Sequence, residues 1–129
     1  MSTQKIKSFN SIVKSFLLQM APHLGTSYHY YFNQMLRVNA VAPIEQFVKF
    51  AIPLRDNILS KNEQFFLDDK NYEQYVKKED SKSFVELLRL KDVWGELDEK
   101  SKENVWKIFQ ALLILSEEYL NLKLGKTKN

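Results

Sequence analysis

The sequence predicts an all-α, single-domain bundle of about five to six helices around a long central helix at the C-terminal end. Apolar residues recur every three to four positions along most of the chain, which is the spacing of one helix face. No stretch shows the alternation of apolar and polar residues that a half-buried strand requires. The 129 residues, 44% of them hydrophobic, suffice for one core, and no linker divides residues 1–129 into two domains.

The predicted central helix covers residues 98–124. At 100° per residue its apolar side chains occupy an arc of about 220°, far wider than the stripe of an ordinary surface helix. A helix with so wide an arc needs neighbours on at least two sides. Ile114 falls in the middle of the polar face. It is either a lone exposed apolar residue or a contact to a partner, and the first interpretation is favoured.

Shorter helices are expected before the central one. The pattern predicts them at residues 5–20, 28–37, 44–52, 54–60 and 84–91. Pro22 and Gly25 should end the first of them, and Pro43 suits the first turn of the third. Three stretches are predicted to lie outside regular structure, namely the frayed ends 1–4 and 125–129 and a surface loop at 68–82.

The second predicted helix holds three tyrosines within four residues. Its expected buried face consists of Tyr28, Tyr31, Phe32, Met35 and Leu36. Tyr30 points away from that face. Clustered tyrosines can serve as a stacking platform for nucleic-acid bases, but the helical spacing favours core aromatics whose hydroxyl groups reach solvent.

Charge is distributed unevenly along the chain, whose formal net charge is +3. Residues 1–44 contain no carboxylate, whereas residues 45–118 contain all sixteen and are net −4. Such asymmetry can mark a surface for an anionic partner. The candidate residues for that surface are Lys5, Lys7, Lys14, Arg37, Lys123, Lys126 and Lys128.

The residues that carry chemistry are few. The absence of cysteine excludes disulfides and thiol catalysis. Zinc-protease, phosphate-loop, dinucleotide-binding and nucleophile-elbow motifs do not occur. Asp68 and Asp69 are adjacent but lack the spacing of a calcium loop, so a solvated acidic turn is favoured. The sequence therefore predicts no catalytic, cofactor-binding or metal-binding residue, and no enzyme.

The expected location is the cytoplasm. The longest uninterrupted apolar run, Ala111 to Leu115, is too short to cross a bilayer. The first 16 residues show no continuous apolar region typical of a secretory signal. The absence of cysteine is compatible with a reducing compartment.

Two segments resemble parts of small helical proteins encoded by nucleocytoplasmic large DNA viruses. They are PLRDNILSKNEQFFL, residues 53–67, and LKDVWGELDEKSKENVWKIFQALLILSEEY, residues 90–119. The pattern W–x–x–L–D–x–x–S–K–x–N–x–W–K–x–x–Q from Trp94 to Gln110 carries the resemblance. It implies a viral protein in the host cytoplasm or the virion, with no assigned activity.

These observations favour a non-enzymatic structural or interaction protein, as a virion component or a virus–host adaptor. It would contact a protein partner or another copy of itself through exposed apolar residues. The candidate contacts are Ile114, Leu18, Tyr30 and Trp94. The alternative is a nucleic-acid-binding protein whose basic N-terminal helices and C-terminal tail form one cationic face. An enzyme would instead need a concave polar pocket with shifted titrating groups.

Overall fold

The computed structural model describes residues 2–67 and 94–125, and within them the chain is helical without a single strand. The all-α prediction is confirmed. The helices in chain order are α1 (Ser2–Gln19), α2 (Ala21–Leu24), α3 (Ser27–Val38), α4 (Ala42–Ala51), α5 (Arg55–Leu59), α6 (Glu63–Leu67) and α7 (Glu99–Leu124), with a 3₁₀ turn at Trp94–Glu96 before α7.

Helix α7 is the long C-terminal helix that the sequence predicts. The Asp98 side chain accepts a hydrogen bond of 2.7 Å from the Ser101 backbone N–H, which caps the first turn. This bond holds the pKa of the Asp98 carboxyl below its ordinary value. Gly125, with a φ of 72°, ends the helix in the left-handed conformation that favours glycine. Helix α7 packs against α1, α4 and α5, as its wide apolar arc requires.

Helices α1 and α3 run antiparallel, joined by the single turn α2. The sequence pattern did not predict α2, which forms because Pro22 fits a first helical turn where its missing N–H is not needed. Gly25 follows with a φ of 87°, which strains any residue other than glycine. The antiparallel direction brings the middle of α1 next to the residues just beyond α3, where the Asn10 side-chain N–H donates to the Ala40 carbonyl at 2.9 Å.

Helix α4 completes the core between α1 and α7. Pro43 lies in its first turn, as the sequence predicts. The Phe47 ring of α4 meets the Phe9 ring of α1 edge-to-face, with centroids 5.5 Å apart and both side chains buried. The fully buried residues Leu112 and Leu113 supply the α7 side of the same core.

Two predictions about side-chain exposure are wrong, one of a buried residue and one of an exposed residue. Tyr31, assigned to the buried face of its helix, is 62% exposed. Trp94, proposed as a partner contact, is only 8% exposed because its ring packs edge-to-face on Trp106, with centroids 5.9 Å apart. The ammonium group of Lys102 covers the same indole at 5.5 Å. Trp94 is therefore a core residue that anchors the 3₁₀ turn to α7.

Some predictions lie outside the described residues. These are the loop at 68–82, the helix at 84–91 and the two tail residues Lys126 and Lys128. Among the helices that the structure describes, none is both long and apolar enough to cross a membrane.

Candidate protein-interaction surface

The outer side of α3 carries the three large apolar side chains with the highest exposed fractions in the described structure. Val38 is 87% exposed, and Tyr30 and Tyr31 are each 62% exposed. The two tyrosine rings touch edge-to-face, with centroids 6.2 Å apart. We call the outward residues of this helix the α3 surface; its members are Tyr30, Tyr31, Gln34, Arg37 and Val38.

Helical periodicity explains why these residues stay outside. Helix α3 packs against α1, α2 and α4, which lie along one side of it. Phe32 is fully buried on that side, with Met35 and Leu36 packed against the core near it. Tyr31 and Val38 are seven positions apart and share the opposite side. The α3 surface therefore has no neighbour within the described chain.

Unpaired cations lie on α3 and on the neighbouring part of α1. Arg37 belongs to it and is exposed. Lys7 and Lys14 are exposed on α1, one turn to either side of Asn10, whose side chain reaches the backbone just past α3. Within residues 2–67 and 94–125, Lys7, Lys14 and Arg37 form no ion pair. The structure thus brings three of the predicted anionic-partner residues to neighbouring parts of α1 and α3.

The other two described members of the predicted cationic set do not join them. Lys5 pairs with Glu118 at 2.9 Å, and Lys123 pairs with Glu45 at 2.7 Å. Both lysines face carboxylates of α7 or α4. The predicted cationic face is therefore smaller than the sequence suggested.

The remaining partner-contact candidates lie on other helices. Leu18 is 56% exposed on α1, on the same outer stripe as Lys7 and Lys14. Its end of α1 is the one connected to the start of α3. Ile114 is 52% exposed on α7, where its neighbours along the helix face are Gln110, Glu117, Glu118 and the half-buried Ala111. Ile114 is consequently an isolated apolar residue rather than part of a patch.

Sequence reasoning missed Tyr31 and Val38. A signal for them was present, because α3 carries apolar residues around most of its circumference although a short helix on the outside of a bundle can bury only one stripe. The pattern could not show which residues of the wide arc would face the core. That depends on where α1 and α4 lie.

A polar cluster joins α4 to α7 away from the α3 surface. The Glu45 carboxylate accepts hydrogen bonds from the Tyr119 hydroxyl at 2.8 Å and from the Lys123 ammonium at 2.7 Å. These bonds, that from Lys123 first, lower the pKa of Glu45. Burial and the bond to Glu45 raise the pKa of Tyr119, and the bond to Glu45 raises that of Lys123. The cluster holds α4 and α7 together through these hydrogen bonds.

Replacing Glu45 by glutamine should bring the pKa of Tyr119 down toward its ordinary value, since a charged acceptor is lost while the burial remains. NMR titration of the Tyr119 ring carbon that bears the hydroxyl measures this change. Glu117→Gln is the matched control, because Glu117 pairs with Arg55 at 2.7 Å instead. An unchanged Tyr119 titration in Glu45→Gln would contradict the hydrogen bond between the Tyr119 hydroxyl and the Glu45 carboxylate.

Glu45→Gln should also change how the stability of the fold depends on pH. Because folding lowers the pKa of Glu45, the ionised carboxylate stabilises the fold at pH values above the pKa that it has in the unfolded chain, and this stabilisation is lost as the pH falls through the pKa of the folded protein. Folding raises the pKa of Tyr119 and of Lys123, so the protonated forms stabilise the fold at pH values below the pKa values of the unfolded chain, and this stabilisation is lost as the pH rises through those of the folded protein. The Tm difference between wild type and Glu45→Gln should therefore be largest near neutral pH.

A groove of about 440 Å³ lies between the C-terminal end of α1, α2 and the first turns of α7. Met20, Leu97 and Val105 form its apolar floor, and His23, Lys100 and Lys107 are among its polar walls. The His23 ring nitrogen Nδ1 lies 3.4 Å from a Glu96 carboxylate oxygen. Gln19, Ser101, Glu103 and Asn104 are further polar residues of the lining.

Residues 2–67 and 94–125 contain no group of three or more histidine, aspartate or glutamate side chains placed to hold a metal ion. Comparison with protein-family models, curated proteins and solved structures finds no significant match to this chain.

Proposed function

We propose that this chain is a helical interaction protein without catalytic activity, which binds a protein partner through the α3 surface. The observation that supports the proposal is the exposure of Tyr30, Tyr31 and Val38 on one side of a single helix. At an interface, tyrosine supplies a large apolar area with little loss of side-chain entropy. Contiguous exposed apolar groups mark interaction sites more often than scattered ones.

The nucleic-acid alternative has weaker support. Of the predicted cations within the described residues, Lys5 and Lys123 are engaged by carboxylates. Three cations remain, whereas a nucleic-acid footprint usually gathers many along one face. Aliphatic Val38 also has no role in binding phosphate groups.

The resemblance of residues 53–67 and 90–119 to proteins of nucleocytoplasmic large DNA viruses supports a viral setting. In that setting the chain would be a virion component or a virus–host adaptor in the host cytoplasm.

Affinity isolation from the native source tests the proposal. The bait is the full chain, compared with a Tyr30→Ser/Tyr31→Ser variant and with Ile114→Ser, which changes an apolar residue of similar exposure on α7. We expect specific partners with wild type and Ile114→Ser, a strong loss with the tyrosine variant, and no effect of nuclease treatment. Partners that disappear after nuclease treatment would support nucleic-acid binding instead. Equal recovery with the tyrosine variant would contradict the proposal.

A further inference from the structure

The α3 surface also indicates what kind of partner it binds. Its apolar residues run along one side of the helix, and Tyr31 and Val38 are seven positions apart, which separates them by about 10.5 Å along the axis. The described structure offers no strand edge to which an extended peptide could add. A row of side chains on a helix is instead matched by the ridges of a second helix lying beside it. The shape therefore suits a partner helix.

The charge around the surface determines the composition of that helix. Lys7, Lys14 and Arg37 form no ion pair in the part of the chain that the structure describes, and residues 1–44 contain no carboxylate at all. Five other described cations pair with carboxylates, and the pairs are Lys5–Glu118, Arg55–Glu117, Lys61–Glu103, Lys102–Glu99 and Lys123–Glu45. Lys49, Lys100 and Lys107 also form no ion pair among the described residues, but Lys49 and Lys100 act on the carboxylates of Glu45 and Asp98 and lower their pKa. Lys7, Lys14 and Arg37 differ in lying within the segment that has no carboxylate, so a partner with carboxylates would be attracted and oriented there.

The apolar and basic groups are spread along both helices. Because α1 and α3 run antiparallel, Leu18 and the two tyrosines lie toward the α2 end. Arg37 and Lys7 lie toward the opposite end, with Lys14 between. A partner helix on this side would therefore place apolar residues against Tyr30 and Tyr31 and carboxylates against Arg37 and the lysines.

A second copy of the chain fits this surface poorly in a symmetric contact. A two-fold axis would bring the same patch onto itself, so the cations of one copy would meet no carboxylate from residues 1–44 of the other copy, which contain none. Two patches that both carry uncompensated positive charge repel each other. The charge pattern consequently favours a different, acidic partner.

We propose, resting on the function proposed above, that the α3 surface binds an acidic amphipathic helix of a partner protein, with its apolar side on Tyr30, Tyr31 and Val38 and its carboxylates toward Arg37, Lys7 and Lys14. A partner helix lying along α3, which has twelve residues, buries less surface area than a standard stable interface. The complex is therefore of the transient kind, with a dissociation constant in the micromolar range, about 1–100 μM.

Fluorescence anisotropy with defined probes tests this inference on the full chain. The probes are a labelled peptide of about 18 residues, or 27 Å as a helix, with leucines on one face and glutamates elsewhere, and its twin with lysines in place of the glutamates. A labelled oligothymidine serves as the nucleic-acid probe. We expect the acidic peptide to bind at least about tenfold more tightly than the basic one, and its affinity to fall as salt is raised.

Variants then locate the binding site. Tyr31→Ser and Val38→Ser should each weaken the acidic peptide about fivefold or more, and Arg37→Glu should weaken it while improving the basic peptide. Ile114→Ser should leave its affinity unchanged. Since the four substituted residues are exposed, circular dichroism should show an unaltered fold for each of the four variants.

Each other outcome overturns the inference in a recognisable way. If the acidic peptide does not bind, or binds equally well to Tyr31→Ser, the surface does not select an acidic helix. Tighter binding of oligothymidine would assign the cations to nucleic acid. Concentration-dependent dimerisation that Tyr31→Ser abolishes would assign the surface to a second copy. Partners that are recovered from the native source through Tyr30 and Tyr31 but are not acidic would leave the proposed function standing and refute only the partner class.

Discussion

Replacing Trp106 by alanine should lower the free energy of unfolding by about 3–5 kcal/mol. The side chain is 7% exposed and links two aromatic neighbours, Trp94 at 5.9 Å and Phe109 at 6.4 Å between ring centroids. Alanine would leave a cavity beneath the 3₁₀ turn and remove both edge-to-face contacts. Since domains of this size are stabilised by about 5–15 kcal/mol, the loss is a large share of the total.

Urea unfolding, followed by tryptophan fluorescence or circular dichroism, measures this change. The control is Ile114→Ala on the outer face of the same helix, which should stay within about 0.5 kcal/mol of wild type. A Trp106→Ala variant as stable as the control would show that the contact between the 3₁₀ turn and α7 does not support the fold.

The Phe9–Phe47 pair should give the second large effect. Each alanine substitution is expected to cost about 3–5 kcal/mol, because Phe9 is fully buried and Phe47 is 1% exposed. The rings meet edge-to-face at 5.5 Å across the contact between α1 and α4. The double variant should therefore lose less than the two single losses together, with a coupling energy of about 0.5–1.5 kcal/mol.

A double-mutant cycle in urea provides the measurement, with Trp94→Ala as the comparison partner for Phe9. Trp94 is also buried, but its ring packs on Trp106. If Phe9 couples no more strongly to Phe47 than to Trp94, the edge-to-face contact between α1 and α4 is contradicted.

The long helix was predictable because its signals are local. An aspartate at the N-cap, a wide apolar arc and a glycine after the last turn all lie within or next to the segment, and the predicted range 98–124 differs from Glu99–Leu124 only at its first residue. Pro43 and Gly25 likewise marked helix boundaries through backbone restrictions that act on a residue and its immediate neighbours.

The exposure of aromatic side chains was not predictable in the same way. Tyr31 differs from the buried Phe32 by one position, and only the placement of α1 and α4 determines which of the two faces inward. Trp94 lies in the short connection between the helices predicted at 84–91 and 98–124, and no local pattern indicated that it would pack on Trp106. Both errors concern packing between separate elements, which the periodicity within one element does not determine.

The candidate surface was predictable in part. The absence of carboxylates from residues 1–44 is visible in the sequence and indicates that an anionic partner would bind the helices formed by these residues. The sequence does not show which cations are neutralised, because Glu118 and Glu45 reach Lys5 and Lys123 only through the packing of α1 and α4 on α7. The combination of free cations with exposed tyrosines became visible only in the folded chain.

Site-specific photo-crosslinking in the native source tests most directly whether a partner occupies the α3 surface. A photoreactive phenylalanine derivative replaces Tyr31 in one full-length variant and Leu59, 42% exposed on α5, in a matched one. We predict a discrete protein adduct from position 31, absent from position 59, whose crosslinked peptide is rich in carboxylates. No adduct at position 31, or the same adduct from both positions, would contradict the assignment of the partner site to α3.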